Sequence, residues 1–247
     1  MPNLPPRPPH DPFARLRQAT PARIGLGRAG QSLPTPALLD FQLAHARARD
    51  AVNAVMDVET LRRSISLPTA VVESAATDRL TYLQNPGLGR RLAQDAPPFK
   101  RGDYDLVIVV ADGLSATAVN AHAAAVVGGI VARLGDWRLA PIVLAKQARV
   151  AIGDPIGEAL GARSVVVLIG ERPGLSAADS LGAYITWRPT TGRRDSERNC
   201  VSNIRAVGGL SPELAADRIT SLLREARRLG LSGVLLKNRQ DIADKLE

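Results

Sequence analysis

Uninterrupted apolar runs, separated by segments with helical character, dominate the chain between residues 105 and 187. They are DLVIVVA at 105–111, PIVLAKQ at 141–147, SVVVLIG at 164–170 and AYITW at 183–187. Short runs that are apolar on both faces are typical of strands buried in a parallel sheet. Helix-length segments between them favour right-handed crossovers. The pattern therefore predicts an α/β fold with a mainly parallel, doubly wound sheet.

Start and stop signals define the helices of this fold. Ser115 can cap a helix that reaches about residue 134, and 154–161 has a proline in its first turn and a glycine at its end. The segment 212–229 is strongly amphipathic, and apolar residues at helical spacing fill 35–55. We expect these helices to cover both faces of the sheet.

The composition divides the chain into three regions. Residues 1–20 are rich in proline and predict a disordered tail, because proline removes backbone donors and favours extended conformations. Residues 21–100 predict a mostly helical N-terminal extension, and 101–247 the α/β domain. Within this domain the polar segment GRRDSERNCVSNIR at 192–205 is interpreted as a solvated loop between a strand and a helix.

Charge widens the range of possible partners. The chain of 247 residues carries a formal net charge of +8, and only 3% of its residues are aromatic. A basic balance is compatible with nucleic acid, an acidic partner subunit or a phosphate-bearing ligand. Because aromatic residues are scarce and the arginines are spread along the chain, a stacking platform for single-stranded nucleic acid is unsupported. No apolar stretch reaches membrane-spanning length.

One familiar motif is misleading. Gly25, Gly27 and Gly30 spell G-x-G-x-x-G, which binds dinucleotides only where a strand precedes it and a helix opens directly after it. Here a weak strand at best precedes the glycines, and Pro34 and Pro36 follow them closely. We therefore interpret the motif as a glycine-rich loop, not as a nicotinamide site.

Nucleophilic and metal chemistry find little support in the sequence. Cys200 is the single cysteine, so a disulfide framework or a cysteine-rich metal site is excluded. A thiolate nucleophile needs a neighbouring base, and His10, His45 and His122 are all distant in sequence. No catalytic residue and no metal ligand is predicted for this chain.

Two loops stand at strand ends, where doubly wound sheets bind their ligands. One contains Asp112 and Gly113, and the other contains Gly170, Glu171 and Arg172. The glycines would let a ligand approach the main chain, and the charged pair offers an acceptor and donors. The alternative is structural: Asp112 caps a helix and Glu171 pairs with an arginine.

Three stretches resemble the small (light) subunit of ethanolamine ammonia-lyase. They are ARIGLGRAGQSLPTPALLDFQLAHARARDAV at 22–52, DYDLVIVVADGLSATAV at 103–119, and a third that begins ARVAIGDPIGEALGARSVVVLIGERPGLSAADSLGAYITW and continues with DSERNCVSNIR. The resemblance covers roughly residues 20–230. LIGERPGL and RNCVSNIR, in this order, are its most specific parts.

The resemblance implies a Rossmann-like domain that helps to hold adenosylcobalamin against a large TIM-barrel subunit, on which residues 21–100 would pack. The large subunit would carry the ethanolamine site, and the pair would convert ethanolamine to acetaldehyde and ammonia by a radical mechanism. The family's cobalamin contacts fall on Val150, Glu171 and Cys200. His122 lacks the Asp-x-His-x-x-Gly context of cobalt-binding histidines, so the cofactor would keep its own base as ligand.

The N-terminal residues contain no apolar core of signal-peptide length, so the sequence predicts a cytoplasmic protein. Some family members carry a longer N-terminal extension linked to packaging in a bacterial microcompartment, and the tail here is short and Pro-rich. Two competing hypotheses belong to other classes. One is a non-catalytic scaffold or binding protein of the same fold that has lost the cofactor, and the other is a basic nucleic-acid binder.

Overall fold

Six strands form one mixed sheet at the centre of the described chain. The computed structural model describes residues 12–20 and 22–236. The strands are β1 (Thr69–Glu73), β2 (Leu106–Ala111), β3 (Ile142–Lys146), β4 (Ser164–Gly170), β5 (Leu181–Trp187) and β6 (Asn199–Ile204). The helices of the described residues are α1 (Ala14–Ala19), α2 (Thr35–Asn53), α3 (Val58–Ser64), α4 (Arg79–Gln84), α5 (Ala116–Arg133), α6 (Gly153–Leu160) and α7 (Pro212–Leu229). The α/β class is confirmed.

The directions of the strands make the sheet mixed, so the prediction of a mainly parallel, doubly wound sheet is not confirmed. The order is β1-β3-β2-β4-β5-β6, in which β1 to β4 are parallel, whereas β5 runs antiparallel to both β4 and β6. Residues 171–180 join β4 to β5 without a helix. A parallel crossover needs a dozen or more residues, usually with a helix, and this connection is too short for one.

Strand β6 is missing from the sequence prediction, which interpreted 192–205 as a loop. Its buried residues, Val201 and Ile204, are three positions apart, so they lack the alternation that marks a half-buried strand. The cause is an irregularity in the β5–β6 register, next to which Asn203 has a φ of 56°. A bulge inserts one residue and shifts the alternation.

Two apolar layers enclose the sheet. On one face, Ile108 and Val166 belong to a core that includes α5 and α7. On the other face, Val107 and Val165 belong to a smaller core with α6. Both faces of each central strand are covered by an apolar layer, which explains why β2 and β4 are fully buried along their whole length.

The predicted helix boundaries are confirmed to within a residue or two. Ser115 accepts a hydrogen bond from the Ala118 amide at the start of α5, and Ser211 does the same at α7. Gly161 and Gly230 close α6 and α7 in the left-handed conformation, which glycine adopts without a Cβ penalty.

The N-terminal region contributes to both the sheet and the surface. Strand β1 forms one edge of the sheet through its pairing with β3. Helix α2 exposes several large apolar side chains: Leu38, Leu39, Phe41 and Leu43. The predicted disordered tail falls largely on residues 1–11, which lie outside the described residues, and α1 occupies part of the remainder. The three-region division itself stays a prediction.

In the described part of the chain, no helix combines the length and apolar character needed to cross a membrane.

Candidate functional site

The glycines at the strand ends serve packing between two loops. Gly113 has a φ of 56°, and the Leu114 amide donates to the Gly170 carbonyl at 2.9 Å. A Cβ on Gly170 would overlap the Ser115 carbonyl oxygen, and one on Gly113 would overlap the Gly170 carbonyl. The expectation that these glycines admit a ligand to the main chain is therefore wrong, because the loops fill that space themselves.

Asp112 joins the ends of two neighbouring strands. Its carboxylate accepts the amides of Gln147 (2.9 Å) and Ala148 (3.1 Å), and Arg79 lies 4.0 Å away. Burial raises the pKa of Asp112, and these two hydrogen bonds oppose the shift. The expected helix cap is thus absent at Asp112, because Ser115 fills that role. Asp112 instead fixes the start of the loop that leads to Val150.

Glu171 follows directly after β4 and is held at one carboxylate oxygen. Its Oε2 accepts the Ser180 hydroxyl at 2.5 Å and the Asn203 amide, in β6, at 3.2 Å. Ser180 and Asn203 therefore hold the Glu171 carboxylate, in place of the arginine partner that the structural alternative expected. No described residue donates a hydrogen bond to Oε1, so this oxygen can accept one from a ligand.

Cys200 lies opposite Tyr184 in the antiparallel pairing of β5 with β6, and the two side chains therefore share one face of the sheet. Cys200 is exposed, while Tyr184 is half-buried against the core beneath α6. Burial of its sulfur raises the pKa of Cys200, Glu171 raises it further, and Tyr184 lowers it. Burial, together with Cys200, raises the pKa of Tyr184 to about 12. The thiol is therefore neutral at physiological pH and unsuited to nucleophilic attack.

Val150 begins the 3-10 turn Val150–Ile152, which runs from the loop after β3 into α6. It is partly buried and packs against the same core as Tyr184. The sheet places Glu171 and Cys200 on neighbouring parts of one face, since Glu171 lies over Gly182 in β5 and accepts the backbone amide of Asn203 in β6, the strand that carries Cys200. Val150 lies on the same face, beside α6.

This face is open around Tyr184 and Cys200, whereas the neighbouring Thr186 of β5 is buried under Arg198. Helix α6 packs on β2 and β4, whereas Tyr184 stays half-buried and Cys200 is exposed. We call this surface, bounded by Val150, Glu171, Tyr184 and Cys200, the open half-face. Cys200 also lines a cleft of about 330 Å³ at the free edge of β6. Within the described ranges, no three His, Cys, Asp or Glu residues are grouped so as to hold a metal ion.

Two participants of this site were missed in the sequence. Tyr184 was interpreted only as part of an apolar strand, and Ser180 was not singled out. The pairing of Tyr184 with Cys200 requires β6, which the sequence did not reveal. Its half-buried position in a mostly buried run becomes visible only once an edge strand is placed beside it.

A family model described as the ethanolamine ammonia-lyase light chain (EutC) matches residues 10–237. The chain belongs to this family. It is therefore a subunit of a lyase, and membership of the ethanolamine ammonia-lyase light chain family confirms the resemblance found in the sequence.

Relatives from three bacteria extend this match over nearly the whole chain. A protein named ethanolamine ammonia-lyase small subunit from Xanthomonas campestris pv. campestris is 53% identical over 251 residues, which cover 97% of this chain and 92% of the relative. Proteins of the same name are 51% identical in Azotobacter vinelandii (94% and 90% covered) and 50% identical in Pseudomonas fluorescens (96% and 91% covered). A small subunit implies a larger partner chain.

Proposed function

We propose that this chain binds adenosylcobalamin on the open half-face, at an interface with a large TIM-barrel subunit. The two-chain enzyme would convert ethanolamine to acetaldehyde and ammonia. One observation carries the proposal. In a chain of the ethanolamine ammonia-lyase light chain family, two of the three residues expected to contact cobalamin lie on one sheet face: Glu171 is held over β5 and bonded to β6, and Cys200 is exposed in β6.

The residues present suit a corrin. Corrin side chains end in amides, and the open oxygen of Glu171 can accept a hydrogen bond from one of them. Val150 and Cys200 offer small, soft surfaces for contact with the ring or its nucleotide tail. A ligand that covers the open half-face would also shield the half-buried ring of Tyr184.

The cofactor would keep its own base on cobalt. His122 is buried in α5, on the opposite face of the sheet, and its Nε2 lies 3.5 Å from Asp179. Cys200 carries a neutral thiol, which is a poor cobalt ligand compared with a thiolate. Neither side chain is therefore placed to supply an axial ligand.

When bound, adenosylcobalamin supplies the radical chemistry of the reaction. This chain would hold the cofactor in one orientation through Glu171 and would exclude water from the side that it covers. Holding the cofactor on a rigid sheet lowers the entropic cost of reaching the reactive geometry. The ethanolamine site and its polar contacts would belong to the partner.

Helix α2 provides a surface for that partner. Leu38, Leu39, Phe41 and Leu43 are exposed, and an apolar surface of this kind on one helix is typical of an interface with another protein. We propose that residues 21–100 pack on the large subunit, while the open half-face closes over the cofactor between the two chains.

Reconstitution tests the proposal. The large subunit from the same organism, this chain and adenosylcobalamin are combined in all single, pairwise and complete mixtures, and ammonia release from ethanolamine is measured. We expect activity only in the complete mixture. Activity of the large subunit with cofactor alone, or an inactive complete mixture that assembles and binds cobalamin, would contradict the proposed role. A non-catalytic scaffold predicts assembly without cofactor binding.

A further inference from the structure

A buried ion pair joins the start of α6, next to Val150, to the residue that precedes β6, the strand of Cys200. Arg198 and Asp154 form two parallel hydrogen bonds, Nη1 to Oδ1 and Nη2 to Oδ2, each of 2.7 Å. The side chains are 1% and 2% exposed. A paired geometry of this kind fixes both the distance and the relative orientation of the two groups.

Further bonds hold the guanidinium of Arg198 in place. Nη1 also donates to the Thr186 hydroxyl (2.8 Å) and Nη2 to the Arg193 carbonyl (3.0 Å). Burial lowers the pKa of Arg198, but Asp154 and Asp195 together outweigh this effect and raise it overall, so the group stays charged. Its buried Nε makes no hydrogen bond and lies 3.7 Å from an Asp195 carboxylate oxygen, so the side chain is desolvated at some cost.

The two residues of the pair belong to different segments of the proposed cofactor site. Asp154 lies in the first turn of α6, directly after the turn that contains Val150. Arg198 stands two positions before Cys200. Gly153 lets the start of α6 approach β4 closely, since a Cβ there would overlap the Val167 side chain. The pair therefore bridges the Val150 turn to the beginning of β6.

Strand β6 also holds Glu171, because the backbone amide of Asn203 donates a hydrogen bond to the Glu171 carboxylate. Val150, Glu171 and Cys200 are thus all tied to one edge strand: the first through Asp154 and Arg198, the second through Asn203, and the third as a member of the strand. An edge strand pairs on one side only. Side-chain anchors at both of its ends are what fix its position relative to α6 and β4.

Stability alone gives a weak reason for such a pair. Desolvation of two buried charges roughly offsets their attraction, and apolar residues of similar volume often replace a buried pair without loss of stability. Removing one partner is strongly destabilising, because it leaves an uncompensated buried charge. A charged pair with fixed geometry can set the relative position of the two segments that it joins. That role would explain why a charged pair is present where an apolar pair would serve stability equally well.

We propose that Arg198 and Asp154 are positioning residues, which set the Val150 turn at the distance from Cys200 that a corrin requires. Neither side chain would contact the cofactor, because the two are 1% and 2% exposed between α6 and Thr186 of β5. This inference rests on the proposed function. It adds the ion pair that keeps two of the proposed cofactor contacts, Val150 and Cys200, at a fixed distance from each other.

The test compares a double variant with a matched control in the assembled two-chain complex. Asp154→Leu with Arg198→Met removes the charges and keeps much of the volume. Arg133→Met with Asp217→Leu removes an ion pair between α5 and α7 that lies on the other face. Equilibrium dialysis measures adenosylcobalamin affinity, thermal unfolding measures stability, and hydrogen exchange reports the order of residues 148–153.

We expect the Asp154→Leu/Arg198→Met complex to unfold near the wild-type temperature, to bind adenosylcobalamin roughly 10- to 100-fold more weakly, as when outer partners of metal ligands are removed, and to exchange faster at 148–153. The Arg133→Met/Asp217→Leu complex should match wild type in affinity and exchange. Unchanged affinity and exchange in a stable Asp154→Leu/Arg198→Met complex would overturn the positioning role.

A conservative variant covers the case in which the double variant does not fold. Arg198→Lys keeps the charge but loses the parallel pair of hydrogen bonds. We expect it to assemble, to exchange faster at 148–153 and to bind the cofactor more weakly, and a wild-type result on both readouts would again overturn the proposal. If wild type itself fails to bind adenosylcobalamin, the proposed function fails, while the exchange readout still decides the positioning role.

Discussion

At the scale of single residues, the two oxygens of Glu171 have different roles. One accepts hydrogen bonds from Ser180 and Asn203, and no described residue donates a hydrogen bond to the other. In the proposed site, this division would let the protein hold the carboxylate still while it accepts a bond from a ligand. A freely rotating surface glutamate would lose more side-chain entropy on binding.

Glu171→Ala should weaken adenosylcobalamin binding in the complex by about 1.5–3 kcal/mol, the usual worth of a hydrogen bond to a charged group. The fold should persist, because the residue lies at the sheet surface and is only partly buried. Equilibrium dialysis gives the affinity and circular dichroism the fold. Glu213→Ala, at an exposed position in α7 on the other face of the sheet, is the matched control. Equal affinities of the two variants would remove Glu171 from the site.

The thiol of Cys200 offers a pH-dependent test. Its pKa is raised by burial and by Glu171, so at any pH below that value the thiolate fraction is smaller than in an unfolded chain. Alkylation, which requires the thiolate, should therefore be slower in the folded chain, and the midpoint of its pH profile should lie above that of the unfolded chain. The single cysteine makes mass spectrometry unambiguous. A folded-state profile shifted to lower pH would contradict this assignment.

At the scale of elements, the close packing of the loops that follow β2 and β4 depends on Gly113 and Gly170. Gly170→Ala would press a Cβ into the Ser115 carbonyl, and overpacking of this kind costs about 1–3 kcal/mol. Gly128→Ala is a contrasting change, because a Cβ in this exposed position of α5 meets no atom within 4 Å. It should be stabilising by about 0.5–1 kcal/mol through helix propensity.

Denaturant unfolding of the two glycine variants measures both effects. The contrast matters more than either value, since both variants add the same methyl group. If Gly170→Ala proved as stable as Gly128→Ala, the close packing of the two strand-end loops would be wrong.

The elements also show why part of the fold was predictable. The buried runs of β2, β3 and β4 and the caps of α5 and α7 are local patterns, and the structure has them where the sequence predicts them. The direction of β5 and the existence of β6 depend on strand pairing across 171–180 and 188–198. Pairing of this kind leaves little local trace, particularly where a bulge disturbs the alternation.

The candidate site divides in the same way. Val150, Glu171 and Cys200 were expected from motifs shared with a family, which are read along the chain. The partners that support them are separated in sequence: Glu171 and Asn203 are 32 positions apart, and Asp154 and Arg198 are 44 positions apart. No periodicity predicts such contacts, because they form only when β6 adds to the sheet.

At the scale of the whole molecule, the two faces of the sheet have different functions in this account. One face is fully covered by α5 and α7 and supplies the larger core. The other face is covered by α6 only in part, and it carries the open half-face. In the proposed complex, the cofactor and the larger partner cover the open half-face. This would explain why the small subunit is not active alone.

The most direct test is a structure of the reconstituted two-chain complex with adenosylcobalamin. The account predicts a corrin on the open half-face, with the open oxygen of Glu171 within hydrogen-bonding distance of a corrin amide. Val150 and Cys200 should be in van der Waals contact with the cofactor. A cofactor bound to the large subunit, with all three side chains turned away from it, would contradict the account.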